Sequence, residues 1–237
     1  MSGHSKWHNI MHRKGAQDAA KAGQFTKLAR EITMATKLGD PAPENNPRLR
    51  LAIIQARKLN MPNDNIKRAM DKGSAAGGEN YESVRYEGYG PAKVPIIVEA
   101  MTDNPRRTVP EVRNVFQKNG GNMGESGSVA FMFNRVGMIV YKKSTASEDA
   151  MFEAVIDAGA DDLDASDDEA YIITTATENF MPAMTALQKK FGEAEKAELT
   201  WLPTAPVELS DDDMAKVDKL IESLEDLDDV QKVFAGV

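Results

Sequence analysis

Lys6, Trp7, His8, His12, Arg13 and Lys14 interleave basic side chains with an indole near the start of the chain. Lys and Arg neutralise phosphates, and an indole either stacks on an exposed base or anchors the segment on its own protein. The plainer alternative is a solvated basic terminus with Trp7 tucked into a core. His4, His8 and His12 recur every fourth residue, which on a helix would align them as metal ligands. They sit in a Gly/Ser-led stretch with no carboxylate before Asp18, so no metal site is expected.

Other chemistries find less support. The chain has no Cys, and its three His all fall in that stretch, so no nucleophile–base–acid set is visible and no enzyme is expected. Gly120–Ser128 could present backbone amides to an anion, or could be a glycine-rich hairpin demanded by turn geometry. It lacks the Gly-Lys-Ser/Thr of a nucleotide-binding loop. Asp161–Glu169 is rich in carboxylates but lacks the central Gly and final Glu of a calcium loop. No cofactor is expected.

More cations follow the opening stretch. Lys27, Arg30 and Lys37 oppose the apolar face of a predicted helix, Arg50 and Arg57 share a face of a second, and Lys67, Arg68 and Lys72 decorate a third. Each is a candidate phosphate contact, against the alternative of an ordinary solvated helix face. The second and third helices could pass for a helix-turn-helix, but the third offers few side chains suited to base edges. Arg106, Arg107 and Arg113 surround a predicted helix start and form a candidate secondary anion or RNA contact. Tyr86 and Tyr89 could meet RNA bases, although aromatic rings packed beside a Gly turn are the expectation.

Charge is segregated along the chain. Residues 1–72 hold fourteen Lys+Arg against six Asp+Glu, and residues 144–237 hold six against twenty-four, so the overall −8 hides both ends. A phosphate partner would attract the first region and repel the second. No apolar run is long enough to span a bilayer, and the basic N-terminus lacks a signal-peptide core, so a cytoplasmic protein without membrane contact is expected.

The elements that would carry these residues read as follows. An arm at 1–12 precedes a helix over Gln17–Lys37 with Phe25, Leu28, Ala29, Ile32 and Ala35 on one face. Asn46-Pro47 starts a second helix, and Asn63 or Asp64 caps a third that Gly73 ends. Strands are predicted at Val84–Glu87, Val94–Met101 and Ser128–Phe133, with Pro95 at an edge or strand start. A helix opening on the capping box Thr108–Glu111 lies between them. Next comes β-α-β-β-α-β, the ferredoxin-like order. Its helices are capped by Ser147, with Met151, Phe152 and Val155 inward, and by Thr177; in its last strand Ala197, Leu199 and Trp201 face inward. A helix over Asp211–Glu225 and a strand over Val230–Phe234 remain without partners of their own.

The expected architecture is therefore α+β. A basic three-helix domain with its arm (1–78) precedes a discontinuous α/β domain (81–133 with 206–237). A ferredoxin-like acidic domain (134–205) is inserted into the latter.

Four stretches of this sequence resemble the YebC/PmpR family. They are Gly3-His-Ser-Lys-Trp-His-Asn-Ile-Met-His-Arg-Lys14; Asn46–Ala52 with Asn60–Ile66; Tyr86–Pro91 with Thr102–Asn104 and Arg107–Arg113; and Gly120–Ala130. The resemblance runs in order through nearly the whole chain. It implies a helical N-terminal domain and two α/β domains, one interrupting the other. It also implies a regulator of gene expression without enzymatic activity. The family is named for DNA-binding transcriptional regulators, which favours DNA as the partner. It also includes a mitochondrial translational activator, and ribosome-associated roles are attributed to some members, which makes ribosomal RNA the alternative. The acidic domains would then avoid the nucleic acid or meet basic proteins such as those of the ribosome. A small-ligand sensor or protein adaptor built on those domains is the reading from another class.

Overall fold

The structure is a computed structural model that describes residues 21–75 and 81–237. Seven helices and eight strands are described: α1 (Lys21–Leu38), α2 (Pro47–Lys58), α3 (Asn63–Ser74), β1 (Glu82–Tyr89), β2 (Pro95–Thr102), α4 (Pro105–Lys118), β3 (Asn122–Met123), β4 (Phe133–Lys142), α5 (Glu148–Asp157), β5 (Asp162–Asp164), β6 (Ala170–Thr175), α6 (Phe180–Phe191), β7 (Lys196–Pro203), α7 (Asp211–Glu225) and β8 (Val230–Ala235). They fall into two compact units. One holds residues 134–202; the other holds 20–133 together with 203–237.

In the larger unit, α1–α3 close on Ile32, Ala35, Leu49, Ala52, Ile53, Ala56, Met61, Ile66 and Ala69. Asn46 starts α2 as expected: its carbonyl accepts from the Leu49 amide at 3.0 Å, and Pro47 follows as the first helical residue. Its side-chain amide also donates to Ala35 O and Asp40 O, so the cap ties α2 to the end of α1. Arg48 adds a two-pronged ion pair to Glu31 of α1. Helix α3 departs from expectation at both ends. Asn63 and Asp64 lie inside it with no side-chain cap, and Gly73 does not end it. Gly73 is buried against α1, where a Cβ would lie 2.4 Å from Thr33 O. Its role is close helix approach, which sequence cannot distinguish from a stop signal.

The same unit contains a sheet in the order β3-β1-β2-β8, with β2 antiparallel to both β1 and β8. Residues beyond the intervening unit thus complete a sheet begun before it. Helices α4 and α7 pack on it through Val112, Phe116, Val217, Leu220, Ile221 and Leu224 against Ile96, Val98 and Val233. Pro95 is the first residue of β2, where its missing amide costs no ladder bond.

Two expectations fail here. Residues 128–133 are not a strand of this sheet. A bend and a 3-10 segment (Ala130–Met132) occupy 128–132, Phe133 begins β4 of the other sheet, and the third strand is the two-residue β3. Amides in that segment go to a buried carboxylate rather than to a ladder, as described below. Thr108 is not a cap either. Asn104 accepts from the Arg107 amide with Pro105 at the first helical position, so the helix starts one turn earlier and Thr108 is buried inside it.

The smaller unit is a four-stranded sheet, β5-β6-β4-β7, with α5 and α6. That strand order and the β-α-β-β-α-β sequence are ferredoxin-like, as expected. Ser147 caps α5 by accepting from the Ala150 amide. Met151, Ala154 and Val155 are buried, but Phe152 is 54 % exposed, because the inward stripe runs through 151, 154 and 155 and leaves 152 to one side. Thr177 caps nothing; α6 starts after Asn179, and Thr177 donates to Glu178. In β7 the most buried residue is Thr200, while Ala197, Leu199 and Trp201 are half-buried, so the alternation does not mark one inner face. Arg135 stacks over the Trp201 ring, 5.2 Å from its centroid.

Candidate nucleic-acid interface

Helix α1 brings Lys27 and Arg30 to the C-terminal end of α7, 198 residues away in sequence. Lys27 Nζ donates to Glu225 O, and an Arg30 guanidinium nitrogen donates to Asp228 O and pairs with Asp229 Oδ1 at 3.3 Å. Cations at this end complement the carbonyls and negative dipole that a helix leaves there. Burial lowers the Lys27 ammonium pKa, outweighing the opposing pull of Glu225, Asp226 and Asp228.

Asp229 is the hub of this junction and is 4 % exposed. Its Oδ2 accepts from Thr102 Oγ1 at 2.9 Å, Thr108 Oγ1 at 2.8 Å and the Arg107 guanidinium at 2.8 Å. Burial pushes this carboxyl up, but the bonds from Arg107, Thr108 and Thr102 and the Arg107 charge hold it below the ordinary range. Arg107 is raised in turn, through its hydrogen bonds to Asp229 and Asp103. Lys27, Arg30 and Arg107 therefore already face internal acceptors.

Other cations point elsewhere. Arg57 on α2 and Lys67 on α3 are exposed, as are Arg106 and Arg113 on α4, and none of these four has an ion pair or side-chain hydrogen bond among the described residues. Arg50 is half-buried and holds the preceding turn through Pro43 O and Glu44 O. Exposed Arg68 bonds Asp64 O and Asn65 Oδ1 on its own helix. Lys37 is half-buried at the end of α1. The candidates Lys6, Trp7, His8, His12, Arg13 and Lys14 lie outside the described residues.

Between α1 and α3 runs a groove of about 410 Å³, with Phe25, Ala29, Met61 and Ala69 on its apolar side and Arg68, Lys72 and Tyr81 around it. Arg30 lies over the Tyr81 ring, 5.3 Å from its centroid.

An anion of the protein's own meets amides at and just past the end of the glycine-rich stretch. Glu87 on β1 is 1 % exposed, and its Oε2 accepts from Val129 N at 2.9 Å and Ala130 N at 2.8 Å. Burial raises this carboxyl, but the amides of Val129, Gly127 and Ala130 and the charge of Arg85 lower it further, to a net depression. Gly127, at φ +87, supplies a left-handed turn in this loop. Tyr86 is in the core, and Tyr89 donates to Ser128 O, so both rings are packed groups. Among the described residues no cluster of three or more His, Asp or Glu could hold a metal, and no helix is long and apolar enough to cross a membrane.

Sequence reasoning missed Asp229 and Glu87. A signal for Asp229 was present in the closely spaced donors Thr102, Arg107 and Thr108, which together call for an acidic acceptor. Glu87 could have been found only as a carboxylate set between Tyr86 and Gly88-Tyr89.

Two family models match the chain. One, described as the TACO1/YebC protein N-terminal domain, matches residues 5–76; the other, described as the TACO1/YebC second and third domain and labelled as a transcription regulator, matches residues 81–237. Among solved structures, a conserved hypothetical protein from Aquifex aeolicus, Aq1575, is similar at 46 % identity and a TM-score of 0.81. The alignment covers 92 % of this chain and 90 % of that one.

Proposed function

This chain belongs to the TACO1/YebC family, whose members are generally regulatory, and from that premise we propose a non-enzymatic regulator of gene expression that binds nucleic acid through its helical region. The observation that carries this reading is the division of cations. Lys27, Arg30 and Arg107 meet internal acceptors, while Arg57 and Lys67 stand exposed on neighbouring helices without a described partner. An exposed cation that does nothing for the fold is suited to a phosphate.

The target that fits best is folded RNA, as in a translation factor. A helix-turn-helix reads duplex DNA with the first turns of its second helix. Here that helix opens on Asn63, Asp64 and Asn65, with an acidic residue in its first turn and no cation before Lys67. Duplex DNA, as in transcription control, is the second reading; the label of the matched family model favours it. The acidic unit 134–202 would face away from phosphate or meet a basic protein.

Binding of the full chain to RNA and to duplex DNA across a salt series tests the proposal. If about five phosphates are neutralised, log K falls with log salt at a slope of about −4.5 on a B-form duplex and about −3.5 on single strands. A salt-independent response would sink it. Crosslinking in cells, with DNA and RNA recovered separately, then decides between the two targets.

A further inference from the structure

The groove between α1 and α3 combines features that phosphate contact alone does not use. Met61 and Ala69 are buried at its apolar side, with Ala29 and Phe25 beside them. Arg68, which also bonds Asp64 O and Asn65 Oδ1, and Lys72 stand one turn apart on α3 and line it, as does Asn65. The Tyr81 ring is positioned by Arg30, which is itself fixed by Asp228 O and Asp229. A bare phosphate gains little from methyl and thioether groups. A purely apolar ligand would strip water from the charged ends of Arg68 and Lys72 and offer them no anion. A flat, polarisable ring bonded to a phosphate suits both parts, and about 410 Å³ lies within the ~300–1,000 Å³ usual for small-ligand sites.

We propose that this groove receives an unpaired nucleobase from a bulged or single-stranded RNA segment, with the adjoining phosphate on Arg68 and Lys72. Tyr81 supplies the aromatic ring, and the Asn65 side-chain NH2, whose carbonyl already accepts from Arg68, offers a donor to the base edge. This rests on the reading that the helical region binds nucleic acid, and adds to it a preference that phosphate contact cannot give.

The test uses the full chain and two RNAs of equal phosphate number, one fully paired and one carrying a bulge, followed by fluorescence anisotropy. The wild-type protein is expected to favour the bulged RNA. Stacking is worth about 1–3 kcal/mol per base, so Tyr81→Ala is expected to weaken bulged-RNA binding by about 5-fold or more. The paired RNA should stay within about 2-fold of wild type, since its phosphates are untouched, and Tyr81→Phe should retain the preference. No wild-type preference, or equal weakening of both RNAs, overturns the proposal. A photoreactive uridine in the bulge, tested on the unaltered protein, should crosslink within residues 61–72 or at Tyr81; crosslinks confined elsewhere overturn it. Free UMP and AMP should compete only weakly, and tighter binding of either than of the bulged RNA would overturn the RNA source. The pair Arg57→Ala and Lys67→Ala reports separately on phosphate binding. If it leaves both RNAs unchanged, the exposed-cation reading fails while the groove is still judged by the bulge preference.

Discussion

Asp229 and Glu87 are both nearly inaccessible carboxylates of the same compact unit, yet they are neutralised by different means. Glu87 is held by backbone amides of one loop, with Arg85 beside it on its own strand. Asp229 is held by side chains from α1, β2 and α4. The first arrangement shapes a loop, and the second fastens the helical region and α4 to the end of the sheet. A backbone cradle survives changes of side chain around it. A side-chain hub depends on every member, so its loss should propagate further.

The sharpest way to break this contrast is Asp229→Ala. Removing one partner of a buried charge network costs about 3–5 kcal/mol, because Arg30, Thr102 and Thr108 lose a shared acceptor. Urea unfolding should register the loss, and if the helical region is fastened here, proteolysis between residues 75 and 81 should speed up. Glu87→Gln keeps the shape but turns an amide NH2 or a weaker carbonyl toward Val129 and Ala130; about 1–3 kcal/mol is expected, without faster cleavage at 75–81.

Acid sharpens the same comparison. Both carboxyls are depressed in the fold, so their stabilisation is complete above the unfolded values of about 3.9 for Asp and 4.3 for Glu. It is lost as pH falls below about 4 through the folded values. The acid limb of stability against pH should therefore be shallower in Asp229→Ala and in Glu87→Gln than in wild type. An unchanged limb in either would mean that its carboxyl is not depressed. Smallest of all, Arg57→Ala and Lys67→Ala should each shift stability by less than about 0.5 kcal/mol, as exposed residues without described partners. Each should still reduce the salt slope of nucleic-acid binding by about 1.

Local signals carried much of the fold. Asn46-Pro47 and Ser147 were readable as caps because each acts within three residues of itself. The absence of partners for α7 and β8 pointed to the interrupted sheet. Thr108 misled because it begins a capping box, while Asn104-Pro105 offered an equally local start one turn earlier. Residues 128–133 misled because an apolar run does not reveal that a distant carboxylate takes its amides. The candidate site was legible only as a set of charges. Sequence gives the sign of Lys27 and of Arg57 but not what stands opposite each. For Lys27 the answer lies at Glu225, beyond the reach of any window.

The late position of β8 has a consequence for the order in which the molecule can be made. During synthesis β1, β2 and α4 emerge long before residues 230–235, so β2 must wait with an open edge while the whole intervening unit is translated. The acceptors for Lys27 and Arg30 at Glu225, Asp228 and Asp229 arrive in the same late stretch. Until then these acceptors are missing, and Arg30 has its contact with the Tyr81 ring without them. A nascent chain would present a more basic surface to the ribosome than the finished molecule does, and closing the sheet is the event that withdraws it.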